Sequence, residues 1–104
     1  MKAYKIDSKA QAVTEIQVHT LEDLQAAVGG YIETAANLAD GDMLFVDEEG
    51  RLKAHTTGFD YFDSDLGPFV GDGIIVGHDG PEMADVKISL DKAQRFTRFL
   101  KVGE

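Results

Sequence analysis

The sequence predicts an α+β fold, an antiparallel or mixed sheet of about five or six strands with two helices packed on one face. Three observations lead there. Short runs near the N-terminus alternate apolar and polar side chains, as half-buried strands do. Residues 20–30 space their apolar groups as a helix does and end on a glycine pair. Residues 89–101 repeat the helical spacing after a capping serine.

Each element has its own residues behind it. Residues 2–7 place Tyr4 and Ile6 on one face, 8–11 read as a turn, and 12–19 place Ile16 and Val18 together, which predicts a hairpin. Thr20 is a helix N-cap, because its hydroxyl accepts from a free N–H of the first turn. Asp23 stands at the capping-box position, where Glu or Gln would reach back better. Leu21, Leu24 and Val28 form the apolar face, and Glu22 and Asp23 suit the positive end of the helix dipole. Gly29-Gly30 supplies the positive φ that stops the helix. A strand over 31–38 follows, with Ile32, Thr34, Ala36 and Leu38 on one face, and then a turn at Asp40-Gly41.

Met43 to Val46 is apolar on both faces and predicts a central, doubly covered strand. Gly50 is placed to close a hairpin onto residues 51–55, with Leu52 and Ala54 inward. Residues 56–72 are irregular, yet Phe59, Tyr61, Phe62 and Phe69 are too many aromatics for a solvated linker, so an ordered excursion covering one end of the core is expected. Residues 73–78 read as a buried strand and 79–82 as a turn. Residues 85–88 are a short strand or the approach to the last helix, which Ser89 or Asp91 caps. In that helix Ala93, Phe96, Phe99 and Leu100 face inward, and Lys92, Arg95, Arg98 and Lys101 lie mostly outside.

A chain of 104 residues with 43% apolar content predicts one domain, residues 1–104, around one core. It contains no apolar run of about 18 residues, so no membrane span is expected. Its first residues lack the apolar stretch of a signal peptide, and with no cysteine there is neither a disulfide framework nor a thiolate site. These features predict a soluble cytoplasmic protein. The net charge is −9 and it is uneven. Residues 40–85 carry 2 basic and 12 acidic groups, whereas residues 86–104 carry 5 basic and 2 acidic. The acidic block repels phosphates, which argues against direct nucleic-acid binding, and attracts basic protein surfaces. The plainer reading is that acidic loops keep a small protein soluble.

The segments Leu21-Glu22-Asp23-Leu24-Gln25, Val28-Gly29-Gly30-Tyr31-Ile32-Glu33, Phe45-Val46-Asp47-Glu48-Glu49-Gly50-Arg51-Leu52-Lys53 and Phe69-Val70-Gly71-Asp72, followed by Ile74-Ile75-Val76-Gly77, resemble a family of small proteins of unknown function found in bacteriophages, plasmids and bacteria bearing mobile elements. The resemblance covers most of residues 1–80. Two departures stand out. Ala54 to Gly58 replaces an Asn-containing segment, and the acidic-aromatic stretch 59–69 is this chain's own. The resemblance implies an origin among accessory genes and implies no reaction.

No catalytic motif survives inspection. Gly71-Asp72-Gly73 precedes a strand rather than a helix, which excludes a dinucleotide fingerprint. Asp60, Asp63 and Asp65 hint at calcium, but Gly67 and Pro68 are out of step with an EF-hand loop, so no metal is expected. His55 and His78 end neighbouring expected strands and could converge with Asp60 or Asp79, where a histidine beside a carboxylate could do acid–base work; satisfied surface pairs are the plainer reading. The leading expectation is a non-enzymatic binding protein without cofactor. It would use Asp47, Glu48, Glu49, Asp60, Asp63 and Asp65 against a basic surface on a host protein, such as a nucleic-acid-binding site of a defence or DNA-processing enzyme. Two alternatives stand beside it. One is a nucleotide or small-molecule pocket walled by His55, Phe59, Tyr61, Phe62 and His78. The other is a structural homo-oligomer, in its simplest form a homodimer.

Overall fold

The computed structural model describes residues 1–53, 55–62 and 67–101. Its elements are strands β1 (Lys2–Asp7) and β2 (Ala12–Gln17), helix α1 (Leu21–Val28), strands β3 (Ile32–Asn37), β4 (Asp42–Asp47), β5 (Thr57–Tyr61), β6 (Phe69–Val70), β7 (Gly73–Asp79) and β8 (Glu82–Ala84), helix α2 (Leu90–Phe96) and strand β9 (Thr97–Lys101). The main sheet runs β2-β1-β7-β4-β3, with β8 paired to β7, and a smaller sheet runs β6-β5-β9. Every strand pair among the described residues is antiparallel. The α+β class, the six-stranded sheet and the two helices are as the sequence predicts.

Side-chain alternation builds a core on each face of the main sheet. Tyr4, Ile6, Leu44, Val46 and Ile75 point to one face and meet Phe59, Tyr61 and Phe69 of the small sheet, together with Ala93 of α2. Ala3, Phe45, Ile74 and Val76 point to the other and meet Leu24, Ala27 and Val28 of α1. The helices therefore join opposite cores and do not share one face, because the small sheet and α2 together cover the first face.

The α1 expectations hold closely. Thr20 and Asp23 form a reciprocal capping box, and Gly29 takes φ 83° at the C-cap. Leu21 is exposed, however, and Ala27 takes its place in the core. In β3 the register shifts between Thr34 and Ala36, which turns Ala35 inward and leaves Thr34 exposed. Such a bulge breaks the two-residue period on which the expected face relied.

Three further expectations are corrected. The described residues among 51–55 do not return as a hairpin strand on β4. Both edges of β4 are already taken, by β3 and β7, so Gly50–Leu52 forms a 3-10 turn and Leu52 is 82% exposed. Ala54, expected inward, lies outside the described residues. The described part of the stretch 56–72 is ordered as expected, but as two strands, β5 and β6, and Phe59, Tyr61 and Phe69 are buried in the main core and do not wall a pocket. The last helix stops at Phe96. Thr97 donates its hydroxyl to Ala93 O at 2.8 Å, and residues 97–101 extend as β9, which sets Phe99 opposite Phe59 and Arg98 opposite Asp60. Cross-strand aromatic and ionic pairs of this kind are unavailable to a continued helix.

Several acids serve as ties between distant segments. The buried Asp42 carboxylate accepts from Lys87 N at 2.9 Å and Ile88 N at 3.0 Å, holding the chain that leads into α2. Asp72 accepts from Ser8 N at 2.9 Å, and Asp85 accepts from Lys2 N at 2.7 Å. Removing a buried acceptor leaves its donors unpaired, which costs more than the bond contributed. Asp42→Ala should lower the unfolding free energy by about 2–4 kcal/mol, the sum for two stranded N–H groups. Asp42→Asn, which keeps one acceptor oxygen, should lose roughly half as much; urea denaturation of the two variants checks both.

Candidate functional site

The segments Val28 to Glu33 and Phe45 to Lys53 meet at one corner of the main sheet. Ile32 pairs with Asp47 across the β3–β4 ladder, and Glu48 N donates to Tyr31 O at 2.9 Å. The Asp47 carboxylate is folded back against Gly30, where an added Cβ would lie 2.6 Å from Oδ1. A side chain at this position would push the carboxylate out of its place. Gly29 ends the helix and Gly30 makes room for the carboxylate, so the two glycines do different work.

Asp47 is 5% exposed and closely held. It accepts from Glu49 N at 2.9 Å and from Lys53 Nζ at 2.5 Å, and the same ammonium donates to Gly29 O at 2.9 Å. Burial pushes this carboxyl up, but the Lys53 ammonium, the Glu49 N–H and the nearby His55 together outweigh burial and hold it below the ordinary carboxylate range. A neighbouring contact closes the far side. A Cβ at Gly50 would lie 3.0 Å from Val70 O, so the turn after Asp47 sits tightly on β6.

Beside this knot opens a cleft of about 230 Å³ between β3 and β6, lined by Glu33, Val46, Asp47, Glu48, Phe69 and Val70 among others. Glu33, Glu48 and Glu49 are exposed around it. Two large apolar side chains, Tyr31 (65% exposed) and Leu52, stand out from the same corner. The arrangement suits a cation flanked by apolar groups, such as a lysine or arginine side chain presented by a protein. Among the described residues, no group of three or more His, Cys, Asp or Glu is placed to hold a metal ion.

The expected acidic set is only partly together. Asp47, Glu48 and Glu49 share the corner, with Asp47 turned inward. Asp60 lies on β5 and pairs with Arg98 at 3.3 Å. Asp63 and Asp65 lie outside the described residues. The expected pocket residues are dispersed. Phe59 and Tyr61 are core, whereas Phe62 is 80% exposed. His55 packs its ring on Gly71, and its buried Nε2 has no hydrogen-bond partner among the described residues. His78 is near the far end of β7, with Nδ1 3.2 Å from Gly80 O. From Gly73 to His78 the strand covers roughly 16 Å at about 3.3 Å per residue, so the two histidines do not converge. Sequence reasoning missed Gly30, Lys53, Glu33 and Tyr31. The signal for Gly30 was the second glycine of a pair, since one is enough to end a helix.

A six-stranded antiparallel sheet backed by a three-stranded one, with an acidic cleft where β3, β4 and β6 meet, defines a small α+β protein with a charged recess at a sheet corner. The chain belongs to the family described as a domain of unknown function (DUF3846), whose model matches residues 1–101. No curated protein and no solved structure matches it. No helix among the described residues is long and apolar enough to cross a membrane.

The ion pair makes a pH-dependent prediction. A carboxyl held low in the folded state adds stability that is complete above its unfolded value and is lost as pH falls through the folded one. Lys53→Met should cost about 1–3 kcal/mol at neutral pH, less than a fully buried pair because the ammonium keeps contact with water. The gap to the wild type should narrow as pH falls and Asp47 takes up its proton. Chemical denaturation at several pH values measures this.

Proposed function

We propose that the protein is a non-enzymatic binding protein that engages a basic surface of another protein through the corner around Asp47. The observation that supports the reading is a cleft lined by Glu33 and Glu48, both exposed, with exposed Glu49, Tyr31 and Leu52 in the chain segments that flank it. Acidic groups steer a cationic partner and set orientation, while exposed aromatic and aliphatic groups anchor it. On this reading the partner is a host DNA-processing or defence protein in the cytoplasm, the setting that a resemblance to accessory proteins of phages and plasmids implies. A broad phosphate-like array is less well supported, because Asp42, Asp47 and Asp72 spend their carboxylates on internal donors. The contact is therefore local, with the carboxylates grouped at one corner.

A fluorescent peptide rich in lysine, arginine and leucine is the probe, followed by anisotropy at moderate salt. Replacing Glu33, Glu48 and Glu49 together by Lys should weaken binding about tenfold or more, as three rim contacts are lost and reversed. Replacing the exposed Glu15, Glu22 and Glu82 by Lys changes net charge equally and should weaken it far less. Equal effects of the two triple variants would show that net charge alone drives binding and would overturn the proposal.

A further inference from the structure

β3 is an edge strand of the main sheet, and among the described residues no strand lies beyond it. Glu48 N donates to Tyr31 O, so the polar backbone groups of Tyr31 and, two residues on, of Glu33 turn toward β4. Alternation then turns the N–H and C=O of Ile32 and Thr34 outward. Among the described residues no hydrogen bond reaches these groups. The opposite edge of the same sheet differs. Gln94 of α2 donates its Nε2 to Val13 O at 3.0 Å, so α2 covers part of β2. The register shift between Thr34 and Ala36 ends the regular part of the free edge, so an added chain would meet Ile32 to Thr34 and little more.

The side chains beside this edge have a definite character. Glu33 stands opposite Val46 in the ladder, and opposite residues share a face. Val46 belongs to the core beneath the small sheet, and Glu33, Val46, Glu48 and Phe69 all line the cleft of about 230 Å³. Among the described residues no cation pairs with Glu33, Glu48 or Glu49. Lys53 is committed to Asp47 and Gly29 O. A strand bonded to Ile32 and Thr34 would set its intervening residue opposite Glu33, on the cleft side. The Cα atoms of such a non-hydrogen-bonded antiparallel pair lie about 4.5 Å apart, within reach of a lysine or arginine side chain. A second copy of β3 centred there would oppose Glu33 to Glu33, and like charges directly opposite are destabilising.

We propose that an extended segment of the partner protein adds as an antiparallel strand to the outer edge of β3, with a lysine or arginine opposite Glu33 over the cleft and an apolar residue two positions later beside the exposed Tyr31. This mode of binding rests on the reading of the corner as a docking surface for a basic protein, and it specifies the shape of what docks. Main-chain bonds to the edge supply affinity, and the alternate side chains supply the choice of sequence. The Glu33 carboxylate then has two effects on one edge: it deters a like strand and admits a cationic one.

Amide hydrogen exchange of the intact protein, read by NMR with and without a saturating amount of the lysine-, arginine- and leucine-rich peptide, tests it. The Ile32 and Thr34 N–H groups should exchange about tenfold or more slowly when the peptide is bound. The Glu33 N–H, which already faces β4, should change less. N-methylating the peptide one backbone amide at a time should weaken binding roughly fivefold at every second residue of the docked segment, where a hydrogen bond is lost. Thr34→Pro removes an outward donor that the β3–β4 ladder does not use, so it should weaken binding by a similar factor; the exchange and methylation series stand whether or not that variant folds. A peptide that binds through Glu33, Glu48 and Glu49 without slowing Ile32 and Thr34, or that responds alike to methylation at adjacent amides, overturns strand addition and leaves the corner reading standing. Slow exchange of Ile32 and Thr34 that depends on protein concentration without peptide assigns the edge to a second copy and overturns it too. A peptide that does not bind, or binds regardless of the corner charges, overturns both.

Discussion

A carboxylate taken out of water must be given donors, and the way Asp47 receives them fixes how this chain turns its corner. Lys53 and the Glu49 N–H supply the donors, and the missing side chain at Gly30 supplies the space. Three segments are joined by this: the end of α1, the end of β4 and the turn that carries Leu52. Lys53 fastens the first to the last by donating to Gly29 O as well. The neighbouring groups Tyr31, Glu48 and Glu49 are presented to solvent by a backbone that Asp47 holds still. A rigid support matters for recognition, because ordering a loose loop on binding subtracts from affinity.

The same logic runs through the acidic block. Counting charges along the chain suggests a broad negative surface. In the fold, Asp42, Asp72 and Asp85 are internal acceptors for backbone N–H groups from elements far away in sequence, and Asp60 faces Arg98. Carboxylates used this way hold loops without burying further apolar area, which suits a small two-sheet protein. Among the described residues of the block, Glu48 and Glu49 remain outward at the corner, and Asp79, Glu82 and Asp85 remain outward around the β7–β8 turn.

Local signals were legible in the sequence and competition for strand edges was not. The cap at Thr20, the stop at Gly29, the first hairpin and the doubly covered strands β4 and β7 follow from neighbouring residues alone. The Asp47 to Gly50 turn also looked like a hairpin, but whether β4 has a free edge depends on β3 and β7, which come from both sides in sequence. The final helix failed for a similar reason. Phe99 and Leu100 fit a helical face, but β5 offered them strand partners and Thr97 closed the helix. Phe59 and Tyr61 looked like pocket walls because their segment seemed irregular; at a two-residue period they are one face of a buried strand. For the corner, the acids were legible and their support was not. Nothing local says that Gly30 faces a carboxylate from residue 47, or that Lys53 reaches both.

The account stands on Asp47 being an ionised, internally paired tie and not a surface charge. Following its side-chain carboxyl carbon by NMR while pH is lowered tests this most directly. The account predicts that Asp47 stays ionised to a pH below the range of ordinary aspartates and that its protonation coincides with loosening of the Lys53 contact. Titration within or above that range, with the Lys53 signals undisturbed, would contradict it.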